Sequence, residues 1–443
     1  MAPRLPARRA GALALVAAAA AAAACTKDAD VRGVTAPAAV NAPFMARYVA
    51  LGNSITAGYQ SGGITDSTQV RAYPVLLAAA AGVPFTYPSV LAPGCPAPIV
   101  DGLTGVRTTG GTAETCTVRA SQTDLLNNVA VPGANSYDPT GAATTTAVAG
   151  RDTLRYTGGY STLTRLFLGN LTQVQKAVQA NPTFATVWIG NNDVLGAALQ
   201  GRTAVGPGDT LQATPVANFV ANYSAMMSQL LAGSPLLQKG VLIGVVDVTN
   251  TPILIPIAVF NPNQPGSSAA AFGAVAQGLF GVGTRRPANF QLTFDASCLN
   301  SAAAIPFPAL ATLGRTVPAN APGYVFNCAT GSSATNPIVT DAERAYFVAR
   351  VTAYNAYIKA KADSLGWIYY NPNVRLAQLR ASGAVLPFPN LATPTRPFGP
   401  LISNDGVHPG SPVHAQLAKD LRDSINARYN ANLADITVAG VQP

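Results

Sequence analysis

The stretch Arg47-Tyr48-Val49-Ala50-Leu51-Gly52-Asn53-Ser54-Ile55-Thr56 joins a short apolar run to a polar turn. Tyr, Val and Leu bounded by Gly read as a β-strand buried on both faces. Ser54 then stands directly after the strand's carboxyl end. In open α/β sheets that is where ligand crevices lie.

Runs of similar character recur downstream, at Asn128-Val129-Ala130-Val131, Ala185-Thr186-Val187-Trp188-Ile189, Val241-Leu242-Ile243-Gly244-Val245-Val246 and Trp367-Ile368-Tyr369-Tyr370. Helical patterns separate them. Thr162 to Gln179 carries Leu166, Leu168, Leu171, Val174 and Val178, and Val216 to Leu231 carries Phe219, Tyr223, Met227 and Leu230. Thr340-Asp341-Ala342-Glu343 is a capping-box pattern opening a helix to Leu365. Alternating strands and helices predict parallel βαβ units and an α/β layered fold.

The amino end has a different character. Arg4, Arg8 and Arg9 precede the apolar run Gly11 to Ala24, the layout of a signal peptide over residues 1–24. The run closes on Ala22-Ala23-Ala24-Cys25, which resembles the lipobox of bacterial lipoproteins, with Cys25 as the acylated residue. An ordinary signal peptide with Cys25 incidental is the alternative. Several acyl chains on one residue would anchor stably, because each buried CH₂ contributes about 0.8 kcal/mol and a single chain is marginal. Residues 25–42 are polar and then Ala/Pro-rich, a tether between anchor and a domain over 43–443.

Without Arg4, Arg8 and Arg9 the 28 Lys and Arg fall to 25 against 19 Asp and Glu, a net charge near +6. The basic residues are scattered, so neither a nucleic-acid stripe nor a polybasic membrane patch is expected. Hydrophobic residues make up 49% and charged ones 11% of the chain, enough to bury a large core. Residues 251–339 form a long Pro/Ala/Gly-rich stretch, too long for a structureless loop, and are expected to fold as an insertion. Residues 94–122 and 139–156 read as Gly/Thr-rich loops. With Cys25 acylated, Cys95, Cys116, Cys298 and Cys328 remain. Three pairings are open in an oxidising compartment. Cys95–Cys116 and Cys298–Cys328 are favoured because each closes a loop without strong periodicity, and four free thiols are the alternative.

Only two histidines exist, His408 and His414, so a base-catalysed mechanism has few choices. A metal site of several histidines is excluded, and phosphate-loop and dinucleotide motifs are missing, so no cofactor is expected. His408 follows Asp405 by three positions in Asn404-Asp405-Gly406-Val407-His408-Pro409, a turn that folds a carboxylate back onto imidazole Nδ1. His414 follows Ser411-Pro412, an N-cap and first-turn pair, and reads as structural or surface.

Gly52-Asn53-Ser54-Ile55, Gly133 in Val131-Pro132-Gly133-Ala134-Asn135, Gly190-Asn191-Asn192-Asp193 and Asp405-Gly406-Val407-His408 resemble, in order, the four blocks of the GDSL or SGNH hydrolases. The resemblance implies a three-layer α/β/α, flavodoxin-like fold with a parallel sheet, and nucleophilic acyl transfer. It makes Ser54 the nucleophile, His408 its base and Asp405 the residue that orients His408. Its oxyanion donors map to the N–H of Ser54, the N–H of Gly133 and the side-chain amide of Asn192. The Asp that usually precedes the nucleophile is Asn53 here, which changes hydrogen bonding around the turn without touching the triad.

The function expected is an extracytoplasmic esterase or lipase, anchored to a bacterial membrane through Cys25. Its ester could be an acylglycerol, a phospholipid, an acetylated glycan or a thioester, since the same machinery serves them all. Residues 251–339 are expected either to lid the acyl site or to be a peripheral insertion. The competing class is a catalytically silent lipoprotein that binds glycans or lipids on a hydrolase scaffold.

Overall fold

The computed structural model describes residues 42–108, 125–141, 160–169, 171–199, 213–331, 333 and 335–437. The predicted signal peptide, Cys25, nearly all of the tether and Cys116 lie outside these residues. Ten strands are described, here β1 (Tyr48–Gly52), β2 (Ile99–Asp101), β3 (Val106–Arg107), β4 (Phe184–Trp188), β5 (Lys239–Ile243), β6 (Leu254–Pro256), β7 (Gln291–Phe294), β8 (Ala304–Pro306), β9 (Gly323–Phe326) and β10 (Ile368–Tyr370).

The central sheet runs β1-β4-β5-β10 and every pairing is parallel. β1 and β4 are buried along their whole length, which is why they read as unbroken apolar runs rather than alternating ones. Their side chains nevertheless divide by parity, as a pleated strand requires. Val49, Leu51 and Val187 face one core with the helices Gln173–Gln179, Val216–Gly233 and Asp341–Leu365. Tyr48, Ala50, Phe184 and Trp188 face a second core with the helices Tyr73–Ala81 and Ser411–Tyr429. Helices on both faces of a parallel sheet make three layers, an α/β fold of the α/β/α kind.

The stretch 128–131 is less regular than expected. Ala50 N–H donates to Asn127 O at 2.7 Å, and Val129 and Val131 donate to Ala50 O and Gly52 O at 3.0 and 3.2 Å, but only Ala50 and Asn128 form a bridge. Asn128 Oδ1 takes the Ala130 N–H at 3.1 Å, satisfying an edge donor that has no further strand to meet. Counting this edge segment, the chain order across the sheet is 2-1-3-4-5, the flavodoxin-like order. The order reverses between β1 and β4, and the crevice at that switch point lies outside their carboxyl ends.

The single helix expected from Thr162 to Gln179 is instead two, Tyr160–Leu168 and Gln173–Gln179. Gly169, at φ +66°, ends the first, where a residue with a Cβ would be strained. A capping box restarts the second: Gln175 N–H donates to Thr172 Oγ1, and Thr172 N–H to Gln175 Oε1 at 2.9 Å. The box expected at Thr340 is present, with Thr340 N–H donating to Glu343 Oε2 at 2.8 Å. The final helix opens one residue earlier than expected, with Gly410 as N-cap and Ser411 already helical.

Residues 251–339 fold into two small sheets, β6 with β8 and β7 with β9, and helices that include Phe307–Thr316. Stacked rings of Phe294 and Phe326, 5.0 Å apart, help fill the unit, and Cys298 and Cys328 form a disulfide across it. Among the described residues no helix is long and apolar enough to cross a membrane.

Candidate active site

Ser54 is positioned by what happens at Gly52. A Cβ on Gly52 would lie 2.2 Å from Thr56 Oγ1, so only glycine lets the chain leave β1 and turn at once into the helix Ser54–Ala57. Asn53 caps that helix, its Oδ1 accepting the Ile55 N–H at 3.2 Å. Gly58, at φ +85°, ends it. Ser54 is therefore the first helical residue, at 8% exposure, and its N–H has no acceptor among the described residues.

His408 and Asp405 sit on a loop closed by the pairs Ser403 N–H to His408 O and Gly406 N–H to Ser403 O, both 2.9 Å. Gly406 has φ +72°, and a Cβ there would meet the Phe398 ring at 2.7 Å and Ile253 at 3.1 Å. Phe398 in turn packs edge-on against Phe307, 5.7 Å away. Residues 251–339 thus brace the loop that carries both residues.

The loop delivers a continuous relay. His408 Nε2 lies 2.8 Å from Ser54 Oγ, and His408 Nδ1 lies 2.8 Å from Asp405 Oδ2. The tautomer that satisfies both contacts carries its proton on Nδ1, donates it to Asp405 and accepts from the serine hydroxyl. Asp405 Oδ1 accepts from Val407 N–H and His408 N–H at 2.9 Å each and from Ser403 Oγ at 3.1 Å. Asp405 Oδ2 also accepts the Gly62 N–H at 2.6 Å. Burial alone would push the carboxyl up, but the charge and hydrogen bonds of His408 and the two backbone donors outweigh it. Asp405 is held well below the usual carboxylate range.

A second loop clamps this pair from outside. The Tyr59 ring lies 5.0 Å from the imidazole ring, and Tyr59 OH donates to Gly62 O at 2.7 Å. Ser61 N–H donates to Ser403 Oγ at 2.9 Å. Arg107, on the β2–β3 hairpin, donates to Gly62 O and Ala97 O at 2.7 and 2.6 Å.

Gly133 and Asn192 approach from two further loops. Gly133, at φ +85°, follows the edge segment, and its N–H also has no acceptor among the described residues. Asn192 opens the helix Asn192–Ala198 after β4, and its Nδ2 donates to Ala134 O at 2.9 Å. Asp193, fully buried, accepts Ser136 N–H at 2.7 Å and Ser136 Oγ–H at 2.6 Å. These bonds fasten the loop of Gly133 to the loop of Asn192. Asn191 Oδ1 accepts the Val246 N–H at 2.9 Å, which diverts the chain after β5 from the expected strand course.

His414 takes no part in the relay. It is fully buried, its Nδ1 accepts the Tyr73 N–H at 3.3 Å, and burial, with His408 nearby, pushes its pKa down to about 3. Of the two readings open for it, structural and surface, the structural one holds. Among the described residues no group of three or more His, Cys, Asp and Glu side chains is placed to hold a metal ion.

The residues quoted from four separate blocks thus converge on the carboxyl edge of one sheet. Tyr59, Gly62, Ser403 and Asp193 join them without having been singled out in the sequence. Of these, Asp193 lay inside a quoted block, and its position beside Asn192 was the one available signal. The arrangement offers a hydroxyl, a base in contact with it, an ionised carboxylate behind the base, and backbone donors with no acceptor among the described residues. No curated protein matches the chain, but residues 48–421 match the family described as GDSL-like Lipase/Acylhydrolase. Since that match covers most of its length, the chain belongs to the GDSL-like lipase/acylhydrolase family, a family of esterase- and lipase-type hydrolases.

Proposed function

We propose that this hydrolase cleaves carboxylic esters through an acyl-enzyme on Ser54. The relay from Ser54 Oγ through His408 to Asp405, with both contacts at 2.8 Å, carries the reading. Ser54 Oγ bonds to the ester carbonyl carbon as its proton passes to His408 Nε2. The carbonyl oxygen takes the negative charge, and Asp405 stabilises the imidazolium. The C–O bond to the alcohol then breaks and the alcohol leaves with the proton from Nε2. Water attacks the acyl-enzyme in the reverse sense, giving the acid and free Ser54. The N–H groups of Ser54 and Gly133 and the amide of Asn192 are assigned to the oxyanion.

A fluorophosphonate probe tests the reading. Wild type should be labelled and Ser54→Ala should not. Absence of labelling in folded wild type would instead favour a binding protein on a hydrolase scaffold.

Asn192→Ala is expected to lower kcat by on the order of 10² to 10³, the usual effect of losing one oxyanion donor. Because the Asn192 amide also holds Ala134 O, part of the loss should reflect the loop of Gly133 drifting. Asn192→Asp, similar in size, also loses the bond to Ala134 O and sets a negative charge against the oxyanion, so it should cost at least as much as the alanine variant. An activity within a factor of three of wild type in both variants would remove Asn192 from the site.

We further propose that the protein is exported and lipid-anchored at Cys25. The charged start, the apolar run and the small residues before Cys25 support this. Cys25→Ser should move the protein from the membrane to the soluble fraction, and persistent membrane association would contradict the anchor.

A further inference from the structure

Beside the relay, a partly open cavity of about 110 Å³ lies along the carboxyl ends of β4, β5 and β10. Four of its lining residues are chain neighbours of proposed site residues. Ile55 follows Ser54, Val407 and Pro409 flank His408, and Asn191 precedes Asn192. The remaining wall is largely aliphatic, with Val246, Leu376, Leu379, Val413 and Leu417.

Polar groups on this wall are turned inward. Trp188 Nε1 donates to Gly244 O at 2.8 Å, Thr251 Oγ1 to Val248 O at 2.6 Å and Tyr370 OH to Asp420 Oδ2 at 2.9 Å. Arg375 is held by Asp420 through Nη2 at 2.7 Å and Nε at 2.9 Å, which neutralises the one charged side chain on the lining. Asn191 Oδ1 is engaged by Val246, and only its buried Nδ2 lacks an acceptor among the described residues. A ligand with a charged or strongly hydrogen-bonding tail would lose water here and find no partner beyond the buried Asn191 amide.

We propose that this cavity receives the acyl chain of the ester attacked by Ser54, and that it selects short, unsubstituted acyl groups. The proposal rests on the acyl-transfer reading above and adds the substrate class. An apolar cavity of about 150 Å³ holds a benzene ring, so this one takes roughly four carbons. The acyl half stays on Ser54 through both steps while the alcohol must depart past His408 and water must enter. A recess beside the nucleophile therefore suits the acyl half and would trap the alcohol half.

The test is kcat/KM for p-nitrophenyl acetate, butyrate, octanoate and hemisuccinate, and for butyl acetate. It is run on wild type, Leu376→Phe and Val413→Phe, with fluorophosphonate labelling of Ser54 alongside. Leu376 and Val413 are only half-buried and lie on different helices, so the two fillers do not share one route to misfolding. Wild type should prefer butyrate to octanoate and to hemisuccinate. Each filler should lower the butyrate-to-acetate ratio by about 10-fold or more, in line with the 10- to 200-fold that pocket shape gives per methylene. Labelled, folded variants with an unchanged ratio would overturn the cavity alone. An equal loss on butyl acetate would overturn the acyl assignment by placing the alcohol in the cavity. Failure of wild type to label would overturn the hydrolase reading and the cavity's role with it.

Discussion

Replacing His408 by alanine is expected to lower kcat for ester hydrolysis by on the order of 10⁶, the effect of removing the base from a serine–histidine pair that acts as a unit. The size of the loss follows from the absence of any substitute. The chain has two histidines, and His414 is fully buried with a pKa pushed down to about 3. It is neutral at working pH and its Nδ1 is committed to the Tyr73 N–H. Tyr59, whose ring lies 5.0 Å from the imidazole, has its hydroxyl donated to Gly62 O. Single-turnover kinetics on wild type and His408→Ala would measure the effect. A loss below about 100-fold would place the base elsewhere.

Asp405→Asn is expected to cost about 10⁴ in kcat, because an amide behind the imidazole favours the wrong tautomer. The present geometry needs Nδ1–H directed at Asp405 so that Nε2 can accept from Ser54. An amide NH₂ facing Nδ1 would move the proton to Nε2 and remove the base's lone pair. Asp405 also accepts from Gly62, Val407, His408 and Ser403, so the substitution loosens the loop as well as altering the tautomer. Stability against pH separates the two effects. A carboxyl held below its ordinary value contributes stability that is fully present above about pH 4 and is lost as pH falls through the lower folded value. The gap in unfolding midpoint between wild type and Asp405→Asn should therefore be constant near neutrality and shrink in acid. A gap that widens on acidification would show that Asp405 is not held ionised in the fold.

The strands of the central sheet were legible because a parallel strand covered on both faces must be apolar at nearly every position. β1 and β4 are buried at every position, and the polar Thr186 is admitted because its hydroxyl pairs with Tyr48 OH at 2.8 Å. Capping boxes were equally legible, since Thr340 and Glu343 act three residues apart and need no tertiary partner. The break at Gly169 was missed because apolar spacing ran on across it, although Thr172 and Gln175 carried the same local signal as Thr340 and Glu343.

Ser54, Asp405, His408, Gly133 and Asn192 were named from ordered motifs, each a local pattern at a strand end. Their supports were not. Ser61 meets Ser403 and Gly62 meets Asp405 across more than 340 residues of chain, and no local preference in either segment encodes the meeting. Residues 251–339 were expected to fold as an insertion, and nothing local in them encodes the packing that sets Ile253 and Phe307 against the loop of Asp405 and His408.

By itself the sequence determined the layered α/β class and most element types, and named the side chains proposed as reactive, because strand burial, helix capping and motif order act over a few neighbouring residues. Tertiary structure alone decided the 2.8 Å contacts of the relay, the burial that removes His414 as a base and the apolar cavity lined by Ile55, Asn191 and Val407. Those depend on packing between segments hundreds of residues apart, where separation in space is set by the closed core and not by any local pattern.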